Sequence, residues 1–174
     1  MEISAFAAQY ARFHFDSNVF CGDLNEAGFQ DASFDVVTMW DALEHFHEPL
    51  RVLREGQRII GPGGILAISM PDVGSWFTRV WRRNWRLLTP SSHLHLFSAE
   101  SLKSALVRCR LLGIVCVSHP GRWTSFEQAV LHGLPQSLSK SMQRRILAII
   151  RRLNIPPLYI PLGDVMLLCA RKGG

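Results

Sequence analysis

Two short runs, His45-Phe46-His47 and His93-Leu94-His95, hold four of the chain's seven histidines in pairs separated by one residue. Imidazole titrates near neutrality, so His45 and His93 are candidate bases for taking a proton from a substrate. On an extended segment each pair would turn both rings to one side, which invites a metal reading. A tetrahedral site needs three or four ligands, however, and none of Cys21, Cys109, Cys116 and Cys169 forms a CxxC pair to complete one. No metal is therefore expected. Three acids, Glu2, Asp23 and Asp41, stand beside short apolar segments, Asp23 with Leu24 next to it and Asp41 directly after Trp40. A carboxylate so placed can accept from hydroxyl or amino groups of a ligand. Each residue also has a plainer reading: a solvated terminal acid for Glu2, a turn residue for Asp23, core packing for Trp40, and structural loop positions for the histidines.

The elements that would carry these residues follow from periodicity and punctuation. Residues 4–14 read as a helix with Ser4 as N-cap. Residues 18–21 read as a short strand ending at Gly22-Asp23. The run at 34–39 (FDVVTM) is apolar and β-branched, which suits a strand buried on both faces. Residues 48–60 form an amphipathic helix with Pro49 in its first turn. Gly61-Pro62-Gly63-Gly64 reads as a turn, and 65–70 as a second buried strand closed by Pro71. Strands joined through helices imply right-handed crossovers and a parallel sheet, so 34–39 and 65–70 should be parallel neighbours. A helix at 98–111 is capped by Ser98. Its capping box looks imperfect, because Ser101 stands where Glu or Gln is usual and Glu100 comes one position early. Strands at 114–118 and 164–171 should pair antiparallel at a sheet edge. Segments 73–97 and 120–162 are longer than ordinary connections and read as additions on the substrate side, or a lid.

The run from Phe34 to His45 (FDVVTMWDALEH) continues through Pro49-Leu50 to Gly61-Pro62-Gly63-Gly64-Ile65-Leu66, and later to His93-Leu94-His95-Leu96-Phe97-Ser98. In order and spacing it resembles class I S-adenosylmethionine-dependent methyltransferases. The likeness is to the broad small-molecule group that includes ubiquinone-type and sugar-modifying enzymes. It spans essentially the whole chain, with 120–162 matching loosely. The resemblance implies an α/β, Rossmann-like fold, mostly parallel with an antiparallel edge, in a single methyltransferase domain over 1–174. It implies S-adenosylmethionine as cofactor, held by Glu2 at the ribose, by Asp23 and Leu24 at the adenine, and by Trp40 and Asp41 lining the cleft. His93, with His45 second, is implied as the active-site base. Measured against the family, the first strand, the first helix and most of the second strand are expected to be missing, and with them the glycine-rich cofactor loop. That would leave 34–39 with an unpaired edge, and the chain by itself weak or inactive.

The expected reaction is methyl transfer to a small-molecule, lipid or glycan acceptor. The alternative is a non-catalytic methyltransferase-like binding or scaffold module. A hydrophobic share of 48% and a charged share of 19% argue against disorder. The net charge of +5 is concentrated at Arg79, Arg82, Arg83 and Arg86 and at Arg144, Arg145, Arg151 and Arg152, clusters too short to favour nucleic acid. In 140–160 the residues Met142, Ile146, Ile149, Ile150 and Leu153 make an apolar stripe flanked by arginines. This reads either as a lid helix packed on the sheet or as a peripheral membrane contact. No signal peptide opens the sequence and no apolar run nears the roughly 20 residues that span a bilayer. The expected setting is cytoplasmic, with that one membrane-peripheral option. The oligomeric state is not legible.

Overall fold

A computed structural model describes residues 1–15, 17–111, 113–133, 138–153, 155–161 and 163–173. Its frame is a four-stranded sheet in the order β1-β2-β6-β3, with β1 at Phe34–Trp40, β2 at Ile60–Pro71, β3 at Gly113–Ser118 and β6 at Val165–Arg171. β1 and β2 are parallel neighbours, Val36 opposite Ile65 and Trp40 opposite Ser69. The helix α2 (Pro49–Ile59) crosses between them, as the sequence predicts. β6 runs antiparallel to both β2 and β3, so three strands share one direction and β6 alone is reversed. The reversed strand is second from the edge, and β3 closes the sheet.

Alternate residues of the strands point to one face. Leu66, Ile68 and Met70 of β2 and Met166, Leu168 and Ala170 of β6 are fully buried there against Leu53 of α2 and Leu102 and Leu106 of α4 (Ala99–Arg108). Fully burying such a side chain contributes about 1.5–3 kcal/mol, so this layer dominates stability. β1 departs from the expectation of burial on both faces: Met39 is buried, but Val36 is 55% exposed and Trp40 59%. The reason is position. β1 is the edge strand of the described sheet, paired on one side by β2.

Gly61 to Gly64 are likewise not a free turn. They loop out as an irregularity within β2, between the pairs Phe34–Ile60 and Val36–Ile65. Gly63 has a φ of +76°, and a Cβ on Gly64 would lie 2.7 Å from the Asp35 carbonyl oxygen, so the loop requires glycine at both places. Lys172 locks it, its Nζ donating to the carbonyls of Gln57 (2.8 Å) and Ile60 (2.7 Å) at the end of α2.

The predicted strand at 18–21 reduces to a single parallel bridge between Glu2 and Cys21. The first helix, α1, is Ala5–Phe15, with the Ser4 hydroxyl accepting from Ala7 N–H. At α4 the capping box is complete after all: Ser101 N–H donates to Ser98 Oγ, and the Ser98 N–H donates back to Ser101 Oγ. A serine hydroxyl replaces the usual Glu or Gln because it reaches the same N–H.

Between β2 and α4 lies the short helix α3 (Trp76–Trp81). Between β3 and β6 lie β4 (Arg122–Thr124), α5 (Phe126–Gly133), α6 (Lys140–Arg152) and β5 (Leu158–Ile160), β4 and β5 pairing antiparallel. Residues 134–137, 154 and 162 of that second segment lie outside the described residues.

Candidate active site

β1 ends at Trp40, and Asp41 takes a φ of 44°, in the left-handed region. This turns the chain sharply off the sheet at a position that Asp tolerates better than most residues. Asp41 N–H donates to Ser69 O at 2.8 Å, which ties the turn to β2. A single 3-10 turn at Leu43–His45 follows, anchored by the fully buried Leu43. The carbonyl of Glu44 in this turn accepts from the N–H groups of both Leu94 (3.0 Å) and His95 (3.2 Å). That pair of bonds draws the loop before α4 onto the end of β1.

The result is a cluster that the spacing alone does not show. His45 and His93 come together from separate loops, while His47 and His95 do not join them; His95 Nε2 instead lies 3.3 Å from the carbonyl of His47. Glu44 completes the group. One ligand atom each from Glu44, His45 and His93 lie within 4.8 Å of one another. Glu44 is 2% exposed, and neither carboxylate oxygen has a hydrogen-bond partner of normal geometry among the described residues. Burial pushes its carboxyl above the ordinary value, opposed by its own backbone N–H and by His45. His45 Nδ1 lies 2.7 Å from Ser92 O and His93 Nδ1 lies 2.8 Å from Leu87 O. A carbonyl can only accept, so each Nδ1 carries a proton, which leaves Nε2 as the position for a lone pair on either ring.

Asp41, Glu44 and His93 line a cavity of about 360 Å³ whose far wall includes Arg86 and Asp164. Asp164 is buried and accepts from Trp85 Nε1 (3.2 Å) and Arg86 Nη2 (3.4 Å), joining segment 73–97 to the start of β6. Of the first arginine cluster, Arg86 is thus part of the cavity wall. Close by, Asp72 accepts from His119 Nε2 at 2.7 Å and from Gly74 N–H at 2.7 Å.

The other predicted residues spread over neighbouring surfaces. Leu24 and Trp40 line a groove of about 430 Å³ with Phe29, Val37, Ala42 and Phe46. Asp23 lines an adjoining groove of about 420 Å³ with His45, Phe46 and Arg51. Asp23 caps the 3-10 turn at Leu24–Glu26, its Oδ1 accepting from Asn25 N–H at 2.8 Å. That bond, with the Asn25 side chain, holds its carboxyl below the ordinary value. Glu2 accepts from Ser4 N–H at 2.8 Å and lines neither groove. Asp41 belongs to the His93 cavity rather than to the groove of Leu24 and Trp40. Glu44, Trp85, Arg86 and Asp164 are the site residues that sequence reasoning missed. Glu44 had a signal, since it sits in the LEH run, but a glutamate beside a histidine carries no sign of being buried.

Residues 4–109 match a family model described as a methyltransferase domain. The chain belongs to this methyltransferase family. Among curated relatives, it is 46% identical over 50 residues to a mitochondrial ubiquinone biosynthesis O-methyltransferase of Candida albicans, covering 28% of this chain and 15% of that protein. It is 36% identical over 72 residues to a demethylmenaquinone methyltransferase of Listeria welshimeri, covering 40% and 30%. The matches therefore span under a third of those relatives. An S-adenosylmethionine-dependent methyltransferase of Thermotoga maritima superposes with a TM-score of 0.60 over 98% of this methyltransferase-family chain and 70% of its own, at 20% identity. At that identity the likeness is one of fold, and it identifies the sheet as Rossmann-like.

Proposed function

We propose that this protein transfers a methyl group from S-adenosylmethionine to a hydroxyl of a small, phenol- or quinol-like acceptor. The observation that carries this reading is the gathering of Glu44, His45 and His93 at the carboxyl ends of β1 and β2, with Glu44 and His93 lining a 360 Å³ cavity and His45 facing the adjoining Asp23 groove. In open α/β sheets, ligands bind at such ends. The names of the quinone-biosynthesis relatives supply the acceptor class.

When bound, the cofactor supplies a methyl group on a positively charged sulfur, already a strong electrophile. The protein's task is then alignment and proton removal. Leu24, Trp40 and Phe46 supply the apolar wall for the adenine and Asp23 an acceptor for its amino group, whereas Glu2, which lines neither groove, has no support for a ribose role. Trp40 and Asp41 divide the cofactor groove from the acceptor cavity. His93 is the group on the acceptor cavity where the acceptor hydroxyl loses its proton, with His45 beside it. Segments 73–97 and 120–162 close the acceptor side, the first through the Trp85 and Arg86 bonds to Asp164.

A membrane-held acceptor is supported by the outer surface of α6. Ile150 is buried and Ile146 half-buried, whereas Met142, Ile149 and Leu153 are 50%, 63% and 59% exposed. The apolar stripe is thus split, one part packed inward and one facing solvent among Arg144, Arg145 and Arg152. Trp123 and Tyr159, their ring centroids 5.6 Å apart and planes tilted at 60°, are exposed in the same segment. No helix among the described residues is long and apolar enough to cross a membrane, so the contact would be interfacial.

The test is product formation. The protein is incubated with labelled S-adenosylmethionine and a panel of catechols, quinols, sugars and lipid head groups. Label should pass to the phenolic members. Transfer to sugars alone would displace the quinol reading, and no cofactor binding with no transfer to any acceptor would refute methyl transfer.

A further inference from the structure

We propose that Glu44, His45 and His93 form a binding site for a first-row divalent cation of the zinc class. Three hydrogen-bond acceptors converge here. Each histidine's Nδ1 proton is committed to a backbone carbonyl, Ser92 O for His45 and Leu87 O for His93. His45 Nε2 lies 4.0 Å from Glu44 Oε1, a ligand atom of His93 lies within 4.8 Å of both, and neither oxygen of the buried Glu44 carboxylate has a hydrogen-bond partner among the described residues. A buried carboxylate without a partner is costly. A cluster of acceptors alone is stabilised by a cation that all of them share.

The second shell supports a metal ion over a lone proton. Metal-bound histidines characteristically donate the other ring N–H to a carbonyl, which fixes tautomer and orientation, and both histidines do so here. Two nitrogens and one carboxylate are a donor set that zinc, cobalt and iron accept, whereas magnesium and calcium prefer oxygen throughout. Ligands about 2.1 Å from a tetrahedral ion lie about 3.4 Å apart. The three atoms, within 4.8 Å of one another, reach that spacing by closing at most about 1.4 Å. His45, with 42% of its side chain exposed, has room to move. The cavity lined by Asp41, Glu44 and His93 leaves an open coordination position for an oxygen ligand. With the ion bound, the histidine lone pairs are taken up by coordination, so a hydroxyl bound there loses its proton to solvent in place of a histidine; without it, His93 is the acceptor.

For the ion's chemical role this inference rests on the methyl-transfer reading; ion binding itself requires neither cofactor nor acceptor. Cobalt(II) is therefore titrated into chelator-treated protein without either. One ion per chain should bind, with a visible absorption band that zinc(II) abolishes. Glu44→Gln, His45→Ala and His93→Ala should each weaken binding by at least about tenfold, and His95→Ala should leave it unchanged. Glu44→Gln removes a buried charge while keeping the shape, so it retains the fold, and circular dichroism verifies each variant. A missing band, or a band of equal strength in folded Glu44→Gln and His93→Ala proteins, overturns the site. A band that depends on all three residues in a protein without methyl transfer upholds the ion site and counts against the proposed activity instead.

Discussion

The rings of His45 and His93 meet edge-on with centroids 5.0 Å apart and planes inclined at 62°, although two helices, α2 and α3, and the strand β2 separate them in sequence. Each is oriented by a backbone carbonyl rather than by a carboxylate, so a change at either ring leaves the other's orientation in place.

His93→Ala should lower methyl transfer by about 100- to 10,000-fold, the contribution of a positioned proton acceptor. Affinity for S-adenosylhomocysteine, measured by calorimetry, should change little, because His93 lies on the acceptor cavity and not on the Leu24–Trp40 wall. Equal losses in turnover and affinity would move His93 to a structural role.

Asp23 supplies the pH-dependent prediction. Its carboxyl lies below the ordinary value of 3.8 because it accepts from Asn25. A depressed folded-state value means that its stabilising contribution is present above the unfolded value and is lost as pH falls through the folded one. The stability gap between the natural protein and Asp23→Ala, about 1 kcal/mol for a lost cap, should be constant near neutrality and close only in strong acid. A gap that closes between pH 6 and 8 would contradict this assignment.

Asp164→Ala removes the acceptor for Trp85 Nε1 and Arg86 Nη2 in a buried setting. Leaving such donors without this acceptor costs about 1–3 kcal/mol. Denaturant unfolding should show that loss, with Asp164→Asn recovering part of it. Trp85 fluorescence should also shift, since its indole loses its partner.

Replacing Arg144, Arg145 and Arg152 by Gln should abolish flotation with anionic vesicles at low salt, each basic residue contributing roughly 1 kcal/mol. Arg151 should matter less, since its Nε already donates to Glu127 at 3.0 Å. Neutral vesicles serve as the control. Flotation that is unaffected by the substitutions, or absent with anionic lipid, would leave α6 as a lid helix only.

The parallel pair β1–β2 and its crossover helix were legible from local periodicity and short connections, and the β3–β6 pair from the periodicity of its two strands alone. What escaped came from long-range placement. Whether Val36 and Trp40 are covered depends on neighbours of β1, which a run of apolar residues does not specify. The glycines at 61–64 announced a turn, but only the register between β1 and β2 makes them a looped-out insertion in a strand. At the site, the histidines were visible by type. Their true partner was not: the spacing paired His45 with His47, while two backbone bonds to the Glu44 carbonyl pair His45 with His93.

The reversed strand β6 has a consequence for how the chain reaches its native state. It is last of the sheet's strands in sequence, yet it sits between β2 and β3 and pairs with both. During synthesis β2 and β3 therefore emerge with no strand between them, and neither can pair directly with the other in its final place. The core residues Leu66, Ile68 and Met70 wait with their inner neighbour missing until residues 165–171 leave the ribosome. Pairings so distant in sequence form slowly and expose apolar edges meanwhile. Completion of this sheet waits for residue 171, and a nascent chain stalled before residue 165 would be a natural client for a chaperone.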